Sequence, residues 1–230
     1  MSLSEPQMPD SKIPIFTSIP RRIKRTINSR DFGAAWQLAC IESWVRAGFC
    51  VVSLNTAEEI VALHPFASIV EFKEIPGGRT RPLVVDFFAA AKNSRSEIVG
   101  IVNADCAFTQ QFDLAKRLTD HIDGLVISER VNLNQRTLRP TGLACLGFDG
   151  FFFKPASLAD VDHDDTWTIG GVWSDYWLPL AFHAAGVKIQ TLPAPVHFSI
   201  DRRSMAACPL WVKSRHMRCK SRRIGAEFRN

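Results

Sequence analysis

Short, unbroken apolar runs recur along the first half of the chain, separated by stretches whose apolar residues recur at helical spacing. Unbroken runs are typical of strands that are covered on both faces. They predict strands at Ile13–Ser18, Phe49–Leu54, Ile69–Phe72 and from Ile98 onward. The stretches between them predict helices at Asp31–Ala47, from Thr56 to about His64 and from Pro82 to about Ser94.

Residues at the predicted boundaries support these helices. Gly48 is placed to end the first helix, Thr56 and Glu59 have the spacing of a capping box, and Pro82 fits a first helical position. Strands that alternate with helices favour a mostly parallel sheet with right-handed crossovers and helices on both faces. The sequence therefore predicts a layered α/β fold.

The pattern becomes less regular past Asp105. We predict a helix from about Thr109 to Ile122, a strand at Leu125–Glu129 and then a dense apolar run at Gly142–Pro155. An irregular second half indicates that a substrate or acceptor is bound there. We therefore predict a disordered N-terminus (1–12), a single domain (13–200) with donor-binding (13–108) and acceptor (109–200) halves, and a C-terminal tail (201–230).

The composition agrees with one large domain. The 230 residues are 46% apolar, which is enough for a sizeable core. No window reaches 18 apolar residues and no signal-peptide pattern opens the chain, so we expect a cytoplasmic protein without a membrane span. The six cysteines are far apart and form no C-x-x-C pair, which favours reduced structural thiols over a zinc site.

Positive charge is concentrated at the C-terminal end. Residues 201–230 hold nine Lys or Arg against Asp201 and Glu227, a charge of +7, although the whole chain carries +5. This segment is either a solvated, partly disordered tail or a surface that contacts the acceptor or the inner face of an anionic membrane. Nucleic acid is the less expected partner.

The triplet Asn103-Ala104-Asp105 directly follows the strand that begins at Ile98. In open α/β sheets the carboxyl ends of the strands are where ligands bind. A carboxylate in this position can hold a divalent metal against a diphosphate. The alternative is a strand-ending turn, which Asn and Asp often form by bonding to their own backbone.

Polar residues at two other predicted strand ends would lie at the same edge. Thr17 and Ser18 end the first strand and Asn55 ends the second, where their polar groups would meet a nucleobase or ribose. Ordinary turn polarity explains these residues equally well.

A glycine-rich loop, Pro76-Gly77-Gly78, leads through Arg79 and Arg81 into the helix at Pro82. Guanidinium groups and helix N-terminal amides both favour anions, so this segment suits a diphosphate. Asp86, one turn into the helix among apolar residues, should be buried and paired, with Arg79 or Arg81 as its partner.

Neither a G-x-G-x-x-G fingerprint after the first strand nor a Walker phosphate loop is present in the sequence. The order of the motifs instead resembles the bacterial GT-A-type glycosyltransferases, in which a nucleotide-sugar donor lies across the strand ends. The resemblance covers roughly residues 13–200, through IFTSIP (15–20), CIESWVRAGFCVVSLN (40–55), PLVVDFFAAA (82–91), NAD (103–105), GFDGFFF (147–153), GGVWSDYWLPLAF (170–182) and VHF (196–198).

The resemblance implies transfer of a sugar from a nucleotide diphosphate donor, expected to be a UDP-sugar, with cations to stabilise the departing diphosphate. It implies that Asp105 binds the metal, that Asn103 touches the ribose or the metal's water shell, and that His197 supplies a second metal ligand. Such a ligand set suits Mn²⁺ somewhat better than Mg²⁺. The alternative for His197 is a histidine that is merely hydrogen-bonded.

The sequence departs from the family at one position. Asn103 stands where the D-x-D motif has its first acid, so N-A-D keeps a single carboxylate. The departure implies either a low metal affinity or an activity that does not depend on a metal.

The resemblance places the acceptor in the second half of the chain. It puts the catalytic base of an inverting enzyme at Asp175, although Asp175 would also serve as the N-cap of a helix that runs to Ala185. Trp173 and Trp177 either stack on a sugar face or pack in the core. Asp149 lies in an aromatic strand, where it either contacts the acceptor or satisfies buried backbone groups.

Other interpretations stay open. The cluster Asp162-His163-Asp164-Asp165 has the composition of a metal site, but its irregular setting favours a solvated loop. A nucleotidyltransferase would use a related sheet but needs a glycine-rich loop near the first strand, where Arg21 and Arg22 stand without glycines. A non-catalytic protein that binds nucleotide sugars or nucleic acid would explain the lost acid and the basic tail. For a transferase, we expect a saccharide or glycolipid acceptor of the bacterial cell envelope.

Overall fold

The structure is a computed structural model that describes residues 12–27, 30–108, 114–133, 140–163, 166–169, 174–192 and 197–200. Its strands are β1 Ile13–Thr17, β2 Thr26–Ile27, β3 Arg30–Asp31, β4 Phe49–Asn55, β5 Val70–Glu74, β6 Val99–Val102, β7 Ala107–Phe108, β8 Leu125–Leu133, β9 Pro140–Phe153, β10 Ile189–Thr191 and β11 His197–Ile200. Its α-helices are α1 Gly33–Arg46, α2 Ala57–Leu63, α3 Val84–Lys92, α4 Leu114–His121 and α5 Ser174–Ala184.

Nine of the described strands form one sheet in the order β5-β4-β1-β6-β9-β8-β11-β7, with β10 alongside β8. The strands β5, β4, β1 and β6 run parallel to one another, and β8 runs parallel to β10 and β11. Between these two groups, β9 is antiparallel to both of its neighbours. The prediction of an α/β fold with a mostly parallel central sheet is confirmed.

Helices cover the sheet on both faces and make three layers. Buried side chains of α1 and α4, such as Trp44 and Leu118, pack with Ile15 against one face. Buried side chains of α3 and α5, such as Phe87 and Phe182, pack with Phe16 against the other. Because neighbouring residues of a strand point to opposite faces, the central strands are apolar throughout. Polar groups therefore gather where the strands end.

Most predicted elements lie where their local signals placed them. Gly48, with φ of 94°, follows α1, and Thr56 and Glu59 form the predicted capping box of α2. The third helix begins at Val84 rather than Pro82, because Leu83 remains extended and its N–H donates to Asp86. The helix predicted from Thr109 is described from Leu114 onward; residues 109–113 lie outside the described part.

In the second half of the chain, the observed strands are longer than the predicted ones because they pair with one another. The apolar run at Gly142–Pro155 forms most of one 14-residue strand, β9, and the strand predicted at Leu125–Glu129 extends to Leu133. The two-residue strand β7 was not predicted. Within the described ranges, none of the helices combines the length and the apolar character needed to cross a membrane.

Cys40, Cys50 and Cys106 are not joined in disulfides. Cys40 and Cys106 are buried, and Cys50 is half-buried. Burial raises the pKa of the Cys50 thiol to about 11 and raises the pKa of Cys40 well above its usual value. Both thiols are therefore protonated near neutral pH and are poor nucleophiles.

Candidate functional site

The carboxyl ends of three neighbouring parallel strands form one edge of the sheet. The register pairs Thr17 of β1 with Ser53 of β4, and Phe16 of β1 with Ile101 of β6. The residues that end or follow these strands are therefore neighbours at this edge. The predicted site residues Thr17, Ser18, Asn55, Asn103 and Asp105 all come from these three strand ends.

The segment Asn103-Ala104-Asp105 makes a turn after β6, with the Cys106 N–H donating to the Asn103 carbonyl at 3.2 Å. Asn103 is tied to the neighbouring strand β9, because its N–H donates to the Asp149 carbonyl at 2.9 Å and its amide NH₂ donates to the Asp149 carboxylate. Asp149 is 2% exposed. Two predicted site residues, Asn103 and Asp149, are therefore in direct contact.

Asp105 forms an ion pair that sequence reasoning did not predict. Its Oδ2 lies 2.7 Å from Nη2 of Arg25. The Arg25 side chain is 5% exposed and that of Asp105 is 24% exposed, so the cation is buried while the carboxylate keeps some contact with solvent. The one sequence signal for Arg25 is its place in a basic patch after β1 that consists of Arg21, Arg22, Lys24 and Arg25.

A short loop with its own hairpin carries Arg25 to this position. The Phe32 N–H donates to the Arg25 carbonyl at 2.8 Å, and β2 pairs with β3 in an antiparallel hairpin. The Asp31 carboxylate accepts hydrogen bonds from Arg22 and from the Gly33 N–H at the start of α1. These two contacts lower the pKa of Asp31 to about 2.

Two indole groups of α1 hold the backbone after the N-A-D turn. Trp36 Nε1 donates to the Asp105 carbonyl at 3.0 Å, and Trp44 Nε1 donates to the Cys106 carbonyl at 2.8 Å. Ser43 adds a third contact, because its Oγ accepts the Phe108 N–H at 2.8 Å. The helix therefore fixes the main chain on which Asp105 stands.

Two deeply buried polar atoms near this edge have no hydrogen-bond partner among the described residues. They are Oγ1 of Thr17 and Nε of Arg25. Buried polar atoms are nearly always satisfied in folded proteins, so each such atom calls for an explanation.

Asn55 is buried and its amide is engaged inside the protein. Its Oδ1 accepts from Ser53 Oγ at 2.6 Å, and its Nδ2 donates to the Ile19 carbonyl at 2.8 Å and to Glu59 at 3.0 Å. Asn55 thereby links the end of β1 to the capping box of α2. Its predicted contact with the donor stays a prediction.

Arg79 and Asp86 form the ion pair expected at the start of α3. Arg79 Nη2 lies 2.6 Å from Asp86 Oδ1, and the other Asp86 oxygen accepts the Leu83 N–H at 2.8 Å. The expectation that Asp86 is paired is therefore confirmed, with Arg79 as its partner. Arg81 is exposed.

The predicted acceptor residues are described to different extents. Trp177 packs against Trp167, with ring centroids 3.9 Å apart, and both line a groove of about 340 Å³ along α5. Asp175 is the second residue of the described α5, which places it inside the helix rather than at the N-cap position. Its side chain and all of Trp173 lie outside the described part.

His197 opens β11, whose backbone pairs with Phe108 of β7 on one side and with Arg130 of β8 on the other. The main chain of His197 is therefore next to the strand that follows Asp105, but its side chain lies outside the described part. At the acidic cluster, His163 packs on Phe88 and its Nδ1 lies 3.2 Å from the Val161 carbonyl. Residues 164–165 are not described.

The described side chains alone do not make a divalent metal site, and the side chain of His197, the second ligand that the resemblance implies, lies outside the described part. Mg²⁺ and Mn²⁺ prefer several oxygen ligands. Within the described ranges, no three His, Cys, Asp or Glu side chains come together as a metal-binding group. The single carboxylate of the N-A-D segment is paired with Arg25, and the Asn103 amide nitrogen faces Asp149.

Comparison with solved structures found a protein with a similar fold. The chain is similar to S. aureus TarS 1–349 in complex with UDP-GlcNAc, with a TM-score of 0.55 and 11% sequence identity over 86% of this chain. The chain has a glycosyltransferase-like fold of the GT-A type. The match spans 61% of the TarS chain, and neither the protein-family models nor the curated proteins gave a match.

Proposed function

We propose that this GT-A-like protein is a glycosyltransferase that moves a sugar from a nucleotide diphosphate donor, a UDP-sugar, to a hydroxyl acceptor. One observation carries the proposal: polar residues from β1, β4 and β6 meet at the carboxyl edge of a parallel sheet whose fold is similar to that of a UDP-GlcNAc complex. Ligands of open α/β sheets bind at this edge.

The charges near this edge suit a diphosphate. Arg25 is buried beside Asp105, and Arg79 is held by Asp86 at the first turn of α3, where helix amides also favour anions. Thr17, whose buried hydroxyl has no partner among the described residues, and the half-buried Ser18 are proposed to contact the nucleoside. Arg81 is exposed and free to reach the outer phosphate.

The reaction breaks the bond between the anomeric carbon and the phosphate oxygen, and the electron pair leaves with the nucleoside diphosphate. The acceptor oxygen forms the new bond to the anomeric carbon, and its proton passes to a base. Of the two proposed acids, Asp175 is the better base, because Asp149 is buried and already accepts from Asn103. Asp149 then positions Asn103 at the donor. The Mn²⁺ or Mg²⁺ requirement implied by the resemblance stays a prediction.

The acceptor half offers surfaces for a sugar. Trp177 and Trp167 line the groove along α5, and Asp160 and Asp162 line the same groove. Indoles stack on sugar rings and carboxylates bond to hydroxyl groups, so a saccharide or the headgroup of a glycolipid suits this region. Trp173 and the basic tail 201–230, proposed for the acceptor and for an anionic membrane surface, lie outside the described residues.

Replacement of Asp105 by Ala tests the site. We expect Asp105→Ala to abolish both sugar transfer and donor hydrolysis, because it removes the carboxylate that orients Arg25. The variant should keep the native fold by circular dichroism, although the unpaired guanidinium lowers its free energy of unfolding. A thermal-shift panel of nucleotide sugars, with and without Mn²⁺, first selects the donor. The matched control is Asp123→Ala, which removes an exposed acid paired with Lys188 and should keep full activity. Full activity of Asp105→Ala would refute the assignment.

A second candidate is a non-catalytic protein that binds nucleotide sugars. It is favoured by Asn103 in place of an acid and by the pairing of Asp105 with a guanidinium. Donor binding without any hydrolysis or transfer across a panel of saccharide acceptors would support this candidate over the transferase.

A further inference from the structure

Arg25 is a buried cation with unused hydrogen-bonding capacity. A guanidinium has five N–H donors. Nη2 donates to Asp105 and Nη1 donates to the Lys24 carbonyl at 3.1 Å, whereas Nε is buried with no partner among the described residues. A bound anion would supply the acceptor that the described residues do not provide there.

The pair formed by Arg25 and Asp105 leaves no net negative charge to attract a metal. The other polar residue of the N-A-D segment, Asn103, is uncharged and directs its NH₂ group to Asp149. A divalent cation that took both carboxylate oxygens of Asp105 would have to displace the guanidinium from Oδ2, which would then be buried without its carboxylate, an unfavourable state. A diphosphate faces no such conflict, because it can accept from the remaining N–H groups while the pair stays intact.

The position of Arg25 is fixed before any ligand binds. Its carbonyl accepts the Phe32 N–H at 2.8 Å, and Asp31 joins the same loop to Arg22 and to the start of α1. Because the guanidinium is already oriented and desolvated, it can stabilise the negative charge that develops on a departing phosphate without reorganisation.

We infer that Arg25 supplies, in place of a divalent metal, the positive charge that holds the donor diphosphate at the carboxyl edge of the sheet. The inference rests on the proposed function, since it assigns the charge that a nucleotide-sugar transferase needs there. Arg25 binds the phosphates, and Asp105 keeps its guanidinium in position.

The test measures binding of UDP and of inorganic pyrophosphate to the full chain by calorimetry in the presence of EDTA. The parent protein should bind both probes without a metal. Arg25→Gln should weaken binding by about 10-fold to 100-fold, the effect of losing a charge-assisted hydrogen bond to a phosphate. Arg46→Gln removes the same charge from the exposed side of α1, where Arg46 pairs with Glu42, and should bind like the parent.

Two further variants keep the test informative should Arg25→Gln fold poorly. Arg25→Lys keeps the charge but not the planar fork, so it should retain weaker binding in EDTA. Asp105→Asn removes the negative charge but keeps a side-chain oxygen that can accept from the guanidinium, so Arg25 stays oriented and pyrophosphate binding in EDTA should be retained or become tighter. A metal-ligating Asp105 predicts instead that neither the parent nor this variant binds in EDTA, and that the variant binds more weakly than the parent in Mn²⁺.

The outcomes separate the inference from the proposed function. Binding that requires Mn²⁺ and is unchanged by Arg25→Gln would overturn the inference while the transferase proposal stands. Binding of neither UDP, pyrophosphate nor any nucleotide sugar, with or without Mn²⁺, would overturn both.

Discussion

Thr17 carries a hydroxyl group that its own protein leaves unsatisfied. The side chain is fully buried at the end of β1, and Oγ1 has no partner among the described residues. An unsatisfied buried hydroxyl costs about 1–3 kcal/mol, which selection would ordinarily remove by a Thr to Val change. The proposed contact with a nucleoside would satisfy this hydroxyl.

We therefore expect Thr17→Val to separate stability from binding. The free energy of unfolding should stay unchanged or rise by up to about 1 kcal/mol, because the orphaned hydroxyl is lost at nearly constant volume. The affinity for UDP should fall about 10-fold, because one hydrogen bond to the ligand is lost. Urea unfolding and calorimetry measure the two effects.

Ser53→Ala provides the contrast. Ser53 Oγ accepts the Ile19 N–H at 2.9 Å and donates to Asn55, so its removal should lower stability. A Thr17→Val protein that is destabilised as much as Ser53→Ala would show that the Thr17 hydroxyl has a partner inside the protein.

Asp31 gives the protein a distinct acid response. Its pKa is lowered from 3.8 to about 2 by its contacts with Arg22 and the Gly33 N–H. A carboxyl group whose pKa is lowered by folding stabilises the protein at pH values above the pKa that it has in the unfolded state. This contribution is lost as the pH falls through the lower pKa of the folded state. We expect the urea midpoint of the parent to drop between pH 4 and pH 2 more than that of Asp31→Asn. Equal slopes for the two proteins would contradict the assignment.

At the residue scale, the sequence indicated which positions bear chemistry but not how they pair. Asn103, Asp105 and Asp149 were found because they interrupt apolar strands, which is a local signal. The ion pair of Arg25 with Asp105 spans 80 positions and depends on the path of a loop whose residues are mostly polar. Arg21, Arg22, Lys24 and Arg25 look alike in sequence, and folding alone selects the one that is buried.

At the scale of elements, the start of α1 decides where that loop lies. A Cβ atom added to Gly33 would lie 1.5 Å from the Ile23 carbonyl oxygen, so the loop can pass this close only because residue 33 has no side chain. Ile23 itself is buried. The glycine thus couples the first turn of the helix to the segment that carries Arg25.

We expect Gly33→Ala to impair ligand binding more than it impairs the core. The Ile23 backbone would have to move, and Arg25 lies two residues further along the same loop. UDP affinity should fall at least about 10-fold, the value for one lost charge-assisted hydrogen bond, while far-UV circular dichroism stays close to that of the parent. The neighbouring exposed position supplies the control, Ala34→Ser, which should bind normally. Normal binding by Gly33→Ala would show that the loop position is not critical.

Elements with local signals were predictable, and those defined by pairing were not. The capping box of α2 and the strands β1, β4 and β6 follow from neighbouring residues alone. The strands β7 and β9 depend on distant partners: β7 is only two residues long and pairs with β11, and β9 owes its 14-residue length to β6 and β8. Patterns of apolar residues do not encode such partners.

At the scale of the whole molecule, one sheet runs through both predicted halves of the domain. Strand β9 from the second half pairs with β6 from the first, and the contact of Asn103 with Asp149 lies at this junction. A donor at β6 and an acceptor at the second half would therefore meet across the same pair of strands.

The proposed role of the basic tail is to bind the whole molecule to an anionic membrane surface. Removal of residues 201–230 takes away a charge of +7, and each basic residue near an anionic surface contributes about 1 kcal/mol to membrane binding. We expect the truncated protein to sediment less than the full chain with vesicles that contain phosphatidylglycerol. Neither protein should sediment with neutral vesicles. Equal sedimentation with the anionic vesicles would count against the membrane interpretation.

The hydrogen bond from Trp36 to the Asp105 carbonyl ties a natural fluorophore to the residue that the site depends on. Indole emission shifts with the polarity and charge of its surroundings, so we expect a phosphate that binds beside Asp105 to change the fluorescence of the unlabelled protein. Comparison with Trp36→Phe isolates this indole from the other five tryptophans of the chain. Binding at the carboxyl edge of the sheet can thus be followed by fluorescence before any sugar or acceptor has been identified.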